Sequence, residues 1–282
     1  PAQQYNATFG GNTDLKPETG DTWTAGIVFT PTFLEGFWLS LDYWHINIDD
    51  VLGYQLPNLT LKLCGLTGDP AYCDLVFRDS TGSIWAQPEG YIVAINTNTG
   101  TTTTDGVDVN ANYNMGIGDW GSLNFQFIGT LLNTFEVQPI SGSSIKWDCA
   151  GYFGATSCTT PYPEWKSKFR TTWSTPWNLD LSLNWRYISS VTAETYSKDP
   201  DLGFPPYQFP GQKTLDAQSY LDFALVYTFS ESYTVSGGIN NLTDEEPPLT
   251  SQQGAPYGNG NTFPAVYDAL GRYLFVGVTA KF

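Results

Sequence analysis

The sequence has one histidine, His45, and four cysteines among 282 residues. That is too few ligands for the usual zinc patterns. Cations are scarce as well, with 12 Lys and Arg against 28 Asp and Glu. A formal charge of −16 argues against a nucleic-acid partner, which needs a Lys/Arg stripe to neutralise phosphates. No apolar run reaches 18 residues, so no transmembrane helix is expected. No signal-peptide pattern opens the chain, and the first residue is Pro1 rather than Met, which reads as a mature product or a fragment. Charged residues make up 14%, against roughly 25% in soluble domains. Long runs of Ala, Glu and Lys, the residues that fill surface helices, are missing.

Aromatic residues are abundant instead, at 16%, and Thr is frequent. Both favour strands, so the composition is all-β. Apolar and polar residues alternate in several stretches. In "WNLDLSLNWRY", Leu179, Leu181, Leu183, Trp185 and Tyr187 share one face, with Asp180, Ser182, Asn184 and Arg186 on the other. "DGVDVNANYNM" sets Val107, Val109, Ala111, Tyr113 and Met115 against Asp108, Asn110, Asn112 and Asn114. Strands are predicted over about 21–30, 37–50, 102–115, 121–137, 164–174, 177–189, 219–229, 233–242 and 272–282.

Strands of soluble proteins have a mode of about 5–6 residues, whereas tilted strands crossing a bilayer need about 9–11. The predicted strands have the second length. Their apolar faces carry aromatics near the ends, among them Tyr187, Tyr227, Phe229 and Phe282, as expected of an outer-membrane barrel. The connections alternate strictly. "TPTFLEG", "GIGDWG", "STPWN" and "SES" are short, while residues 51–101, 138–163, 190–218 and 243–271 are long. Transmembrane β-barrels combine short periplasmic turns with long extracellular loops. Odd-numbered strands then run toward the periplasm and the chain ends there. Nine strands are too few: bacterial single-chain barrels have an even number, and an open half-barrel would leave two unpaired edges in lipid. Partner strands are therefore expected from elsewhere, either from a longer protein or from other chains.

The four cysteines form two equally spaced pairs in long loops. Disulfides Cys64–Cys73 and Cys149–Cys158 are expected, in an oxidising compartment. Closing a loop of about ten residues is worth roughly 2–3 kcal/mol.

Three stretches resemble one family. "NTDLKPETGDTWTAGIVF", from Asn12 to Phe29, is similar to the Asn-Pro-x-Leu-Lys-Pro-Glu segment that opens a mid-barrel strand in TonB-dependent outer-membrane receptors. "GGINNLTDEEPP", from Gly237 to Pro248, resembles the family's Asn-Leu-Phe-Asp motif near the penultimate strand. "GRYLFVGVTAKF" resembles its closing strand with a terminal Phe. Thr13 stands where the family pattern has Pro, and Thr243 where it has Phe. The resemblance implies a transmembrane antiparallel β-barrel portion, about nine C-terminal strands of a 22-stranded plugged barrel. On that reading residues 1–282 are the C-terminal part of the barrel domain, without the N-terminal strands and plug. The resemblance further implies active uptake of a scarce ligand, an oligosaccharide or a ferric siderophore, with energy supplied by the TonB complex through the missing N-terminal part. Its implied setting is the outer membrane of a Gram-negative cell, among lipid and lipopolysaccharide. Phe282 would be the signal read by the barrel-assembly machinery. The stretch "CGLTGDPAYCDLVFRDSTGSIW" followed by "NTNTGTTTTDGVDV" is similar to a proteobacterial subset that includes carbohydrate and siderophore receptors.

Aromatic residues in the long loops are the ligand candidates: Trp85 and Tyr91; Trp147, Tyr152, Phe153 and Tyr162; Phe204, Tyr207 and Phe209; Tyr257, Phe263 and Tyr267. Rings at a wet mouth stack on sugars or on aromatic chelators, or else pack the loops against one another. Asp108, Asn110, Asn112, Asp180, Asn184 and Arg186 would line the lumen, along a ligand path or against a plug. His45 is expected near the extracellular rim. The pairs Asp49–Asp50 and Glu245–Glu246 sit in no catalytic motif, and "DDVLG" lacks calcium-loop spacing, so neither an enzyme nor a cofactor is expected. Two other readings stand beside it: a passive porin or adhesin barrel built on the same strand logic, and a secreted carbohydrate-binding β-sandwich or glycosidase with aromatic platforms.

Overall fold

Side chains alternate across a strand, so an uninterrupted period-two pattern builds a sheet with two chemically different faces. The computed structural model describes residues 4–53, 56–140, 144–154, 157–202, 213–250 and 260–281. Nine long strands run through one large sheet: β1 (Thr19–Phe29), β2 (Phe37–Asp49), β3 (Thr101–Gly116), β4 (Ser122–Gln138), β5 (Trp165–Ser174), β6 (Leu179–Ile188), β7 (Gln218–Ser230), β8 (Tyr233–Asn240) and β9 (Tyr273–Ala280), and a tenth, two-residue strand, Trp147–Asp148, pairs with the end of β4. Each pairs antiparallel with its neighbour in sequence, so the sheet is a meander from β1 to β9. It does not close on itself. All nine predicted strands are present, with ends displaced by a residue or two.

Consecutive strands join alternately by short turns (30–36, 117–121, 175–178, 231–232) and by long connections (50–100, 139–164, 189–217, 241–272). All short turns therefore lie at one end of the sheet. Asn178 takes positive φ in one of them, the conformation that Asn tolerates best after Gly.

The apolar face is open. Ile27, Leu183, Val278, Leu274 (76% exposed) and Val276 (81%) are uncovered. Toward the short-turn end an aromatic row crosses this face, with Phe37 on Tyr113, Tyr113 on Phe125 and Phe125 on Phe169, all at centroid separations of 6.3–6.5 Å. Such cross-strand pairs stabilise a sheet and set its register. On the polar face, Asn112 and Asn124 exchange amide hydrogen bonds, and Thr130 donates to Asp108 at 2.6 Å. Between Asp105 and Gly106 the β3–β4 register shifts by one residue. Gly106 is needed there, because a Cβ would meet the Leu131 carbonyl at 2.3 Å and the Trp44 ring at 2.5 Å.

A soluble sheet hides its apolar face. Here the buried apolar side chains among the described residues lie almost wholly in the long connections, and Tyr220 alone comes from β1–β9. Those connections have structure of their own, which the alternation pattern did not foretell. The first carries helices α1 (Pro57–Thr67) and α2 (Pro70–Cys73). Its strand Tyr91–Ile95 pairs parallel with Ala7–Gly10 and antiparallel with Val76–Phe77. The second and third share a small sheet, in which Tyr152–Phe153 pairs parallel with Val191–Ala193, itself antiparallel to Thr214–Leu215. No helix among the described residues is long and apolar enough to cross a membrane.

Candidate functional site

Local chemistry shapes the cap that the long connections build. Pro57 and Pro70 begin α1 and α2, where a missing N–H costs nothing. Asp69 caps α2 by accepting from the Ala71 amide at 2.9 Å, and Gly68 ends α1 in the left-handed region. The Cys64–Cys73 disulfide ties the two helices together, and Cys149–Cys158 closes a loop in the second connection. Among the described residues no cysteine is free.

Two small cores knit the connections to each other. Leu59, Leu63 and Tyr72 of the first meet Trp147, Cys149 and Cys158 of the second and Leu202 of the third. Phe153 of the second packs with Val191, Ala193 and Leu215 of the third, and with Phe263 and Tyr267 of the fourth. Burying one such side chain is worth about 1.5–3 kcal/mol, so the cap is held mainly by these clusters.

A buried carboxylate joins three connections. Glu194, 2% exposed, accepts from the backbone amides of Ser157 at 3.0 Å and Cys158 at 2.7 Å. Gly154 makes room for it, since a Cβ there would lie 1.9 Å from the carboxyl carbon. Burial pushes the Lys62 ammonium of α1 below its ordinary value, while the charges of Glu194 and Asp201 oppose that shift. Asp79 is held below the usual carboxylate range, chiefly by the Thr81 hydroxyl at 2.6 Å, with amides of Thr81 and Ser83 adding to it. Its depressed value means that this turn is stabilised above the unfolded-state pKa and loses that stabilisation as pH falls through the folded-state value.

The aromatic candidates separate by burial. Trp147 (3% exposed), Phe153, Phe263 and Tyr267 are interior to the two cores. Tyr162 stacks on Phe135 at 4.3 Å and, with Tyr152, packs against the first core. Burial also raises the Tyr267 phenol above its ordinary value. Trp85 remains 54% exposed, and with Asn6, Gln87 and Tyr91 it lines an open cavity of ≈ 540 Å³. Tyr91 stacks on Phe77 at 4.9 Å, and Asn6 steadies the cavity's edge by donating to the Gly90 carbonyl at 3.0 Å. Phe204, Tyr207, Phe209, Tyr257 and Phe282 lie outside the described residues.

On the polar face, Arg186 of β6 is the best-connected candidate. It donates to Asp222 of β7 through Nε at 2.8 Å and Nη2 at 3.0 Å. It also donates to Asp268 of the fourth connection through Nη1 at 2.9 Å and Nη2 at 2.5 Å. Asn184 and the Asn241 amide complete the shell of Asp222, and the Asp268 amide donates to the Tyr220 hydroxyl at 3.3 Å. The guanidinium lies 4.8 Å from the centre of the Tyr220 ring. These contacts fold the fourth connection inward over the polar face, beside a cavity of ≈ 440 Å³. Asp108 and Asn112 take part in the polar-face bonds described above, and His45 lies on β2 beside Trp23. Sequence reasoning missed Lys62, Glu194, Asp222 and Asp268. None sits in a motif, and their partners are remote in the chain.

The family described as TonB dependent receptor-like, beta-barrel matches residues 1–242. Among solved structures, the chain resembles the ferric enterobactin receptor PfeA of Pseudomonas aeruginosa (Q482A mutant, in complex with enterobactin). Identity is 15% and the TM-score 0.61, over 99% of this chain and 34% of that one. The siderophore receptor PirA from Acinetobacter baumannii gives 14% and 0.59, over 97% and 33%. The FrpB iron transporter from Neisseria meningitidis gives 12% and 0.55, over 99% and 32%. The chain thus spans about a third of the length of these structures, and at such identities they speak for the fold alone. Comparison with curated proteins finds no match. An open nine-stranded meander with an uncovered apolar face, capped at one end by structured connections, fits the matched family in both sequence and shape: the chain belongs to the TonB-dependent receptor β-barrel family.

Proposed function

We propose that residues 1–282 form the C-terminal part of the barrel domain of a Gram-negative outer-membrane receptor that imports a ferric siderophore with energy transduced by TonB. The observation that carries this reading is the inverted burial. Apolar side chains lie open along β1–β9 while the buried ones gather in the cap, an arrangement suited to a wall in lipid and a folded mouth in water. The solved structures it resembles are receptors for siderophores and iron. In this reading the long connections are extracellular, the short turns and the C-terminus periplasmic, and the apolar face meets lipid and lipopolysaccharide. Phe282 serves the assembly machinery. Trp85 and Tyr91 are the rings available to a ligand, and Tyr152 and Tyr162, packed against the first core, keep part of their surface free. Trp147, Phe153 and Tyr267 contribute by shaping the mouth. The protein performs transport without catalysis.

Uptake by cells with and without the intact gene, on a panel of ferric siderophores and oligosaccharides, tests the ligand class. Gene-dependent growth on a siderophore is expected, and gene-dependent uptake of oligosaccharides alone would replace siderophore by carbohydrate. Orientation has its own test. In whole cells a membrane-impermeant maleimide is expected to label Ser83→Cys and to spare Glu231→Cys until the outer membrane is opened. The reverse pattern would invert the assignment of the two ends.

A further inference from the structure

The apolar face changes character partway along β1–β4. On β3 the face that carries Tyr113, Val109 and Val107 continues to Asp105, Thr103 and Thr101. On β2 the same face runs from Leu41 to Tyr43, His45, Asn47 and Asp49. Apolar side chains give way to polar ones at one height, along the row of His45, Asp105 and Thr134. Both neighbours of β2 and of β3 are present, so this patch is complete whatever lies beyond β1. The register shift between β3 and β4 falls at the same height. Asn133 is the extra residue, between Thr134 opposite Asp105 and Leu132 opposite Gly106. Such bulges re-aim side chains at the rims of barrels.

Around the bulge stands a fixed array of neutral donors. Asp105, 8% exposed, accepts from the Tyr43 hydroxyl at 3.1 Å, the Asn133 amide at 2.9 Å and the Thr134 hydroxyl. One carboxylate thus orients three uncharged groups. In the next row the Thr103 hydroxyl donates to Asn47 at 2.7 Å. Trp23 of β1 lies against Tyr43 and His45, with ring centroids 5.0 and 5.5 Å away. Rings beside amides and hydroxyls suit a sugar, whose C–H face stacks on a ring while its hydroxyls meet the polar groups. Charge agrees. Among the described residues, the positions of this face beyond the apolar band on β1–β4 include Asp21, Asp49, Asp105 and Glu136 but neither Lys nor Arg. Lys146, from the second connection, pairs with Glu136 at 3.0 Å. Such a surface repels phosphate and leaves uncharged hydroxyls unopposed.

A row of carboxylates is costly in hydrocarbon, so on the membrane reading the acyl chains end short of His45 and Asp105. From Asp105 to Thr101, β3 continues for on the order of 13 Å, through the layer of the outer-leaflet headgroups. We propose that this patch docks the sugar headgroup of an outer-leaflet glycolipid, which in a Gram-negative cell is lipopolysaccharide. Trp23 and His45 form the stacking platform, and Asn47 and Asn133 supply hydrogen bonds to hydroxyls. The band directly beneath, with Leu41 and Leu131 exposed, takes acyl chains of the same molecule. The inference rests on the membrane wall of the reading above and is independent of which ligand is transported.

The test uses the full-length receptor in detergent and three fluorescent lipids read by anisotropy. They are lipopolysaccharide lacking O-antigen, the same material after phosphatase treatment, and phosphatidylethanolamine. Both glycolipids are expected to bind more tightly than phosphatidylethanolamine, with little dependence on salt, since the contacts are mainly uncharged. His45→Ala with Asn133→Ala is expected to lose on the order of tenfold in affinity for both. Trp23→Leu, which leaves the Asp105 bonds intact, should weaken binding as well. Ser182→Ala, on the opposite face, should change nothing. Unaltered heat-modifiable migration on gels shows that each variant is folded. Equal affinity in wild type and variants, or glycolipid binding no tighter than that of phosphatidylethanolamine, would overturn the site. Loss of binding on dephosphorylation would overturn it too, by making phosphate the recognised group. A receptor that stays dispersed without detergent sinks the membrane wall and this site together. A detergent-dependent receptor indifferent to the sugars sinks the site alone.

Discussion

Arg186→Ala is expected to destabilise the receptor by about 2–4 kcal/mol, more than any other single change on the polar face. The substitution leaves Asp222 and Asp268, with side chains 15% and 28% exposed, facing one another without the cation between them. Removing one partner of a fully buried pair costs about 3–5 kcal/mol, and the residual exposure here lowers that figure. Arg186→Lys should recover only part of the loss, because an ammonium cannot serve two carboxylates with the fork that a guanidinium presents. Adding Asp268→Asn to Arg186→Ala should restore stability, since one of the two stranded charges is gone. Guanidinium unfolding of the receptor in lipid vesicles measures the stability, and limited proteolysis reports release of the fourth connection. A change below about 0.5 kcal/mol, with the fourth connection still protected, would show that the Arg186–Asp268 pair does not hold the connection.

A charge on the apolar face should have an effect of similar size through a different mechanism. Leu183 lies midway along β6 with its side chain uncovered. In lipid, Leu183→Arg is expected to cost about 2–4 kcal/mol, falling to about 0–1 kcal/mol for Leu179→Arg nearer the short turn. Ser182→Arg, one residue away on the polar face, should be tolerated. The same unfolding measurement in vesicles reads all three. In a water-soluble sheet with this open face, the arginine at 183 would cost almost nothing, so equal stability of Leu183→Arg and Ser182→Arg would dispose of the membrane wall.

Reduction of the disulfides offers a milder check on the cap. Each closes a loop of about ten residues and should contribute roughly 2–3 kcal/mol to the connection that holds it. Reductant is expected to accelerate proteolysis within residues 57–73 and 147–158 and to leave the protease resistance of β1–β9 unchanged. Simultaneous collapse of the sheet would mean that cap and wall unfold as one unit.

The candidate site was legible only where the signal was local. Asp108 and Asn112 alternate plainly in the sequence, yet what each one binds depends on which residues the neighbouring strands bring opposite it, and that is a matter of register. Alternation with Trp185 and Tyr187 is enough to place Arg186 on the polar wall. Its partner Asp268 lies 82 residues away in a connection with no motif. Loop rings looked alike in sequence. Trp85 stayed open while Trp147, Phe153 and Tyr267 were drawn into cores, because ring burial is decided by what else reaches the same spot.

Nine strands, their two faces, the alternation of short and long connections, and the pairing of cysteines nine residues apart are all written in the residues. All of these follow from a period of two, turn chemistry and short-range closure, which act within one or two strands' length of chain. Tertiary structure alone decided that the long connections condense into one cap, that Glu194 binds the backbone of a disulfide loop 36 residues away, and that Asp268 returns to Arg186. Such contacts are chosen by packing and by the cost of burying an unmatched charge, and neither leaves a periodic trace in the residues that make them.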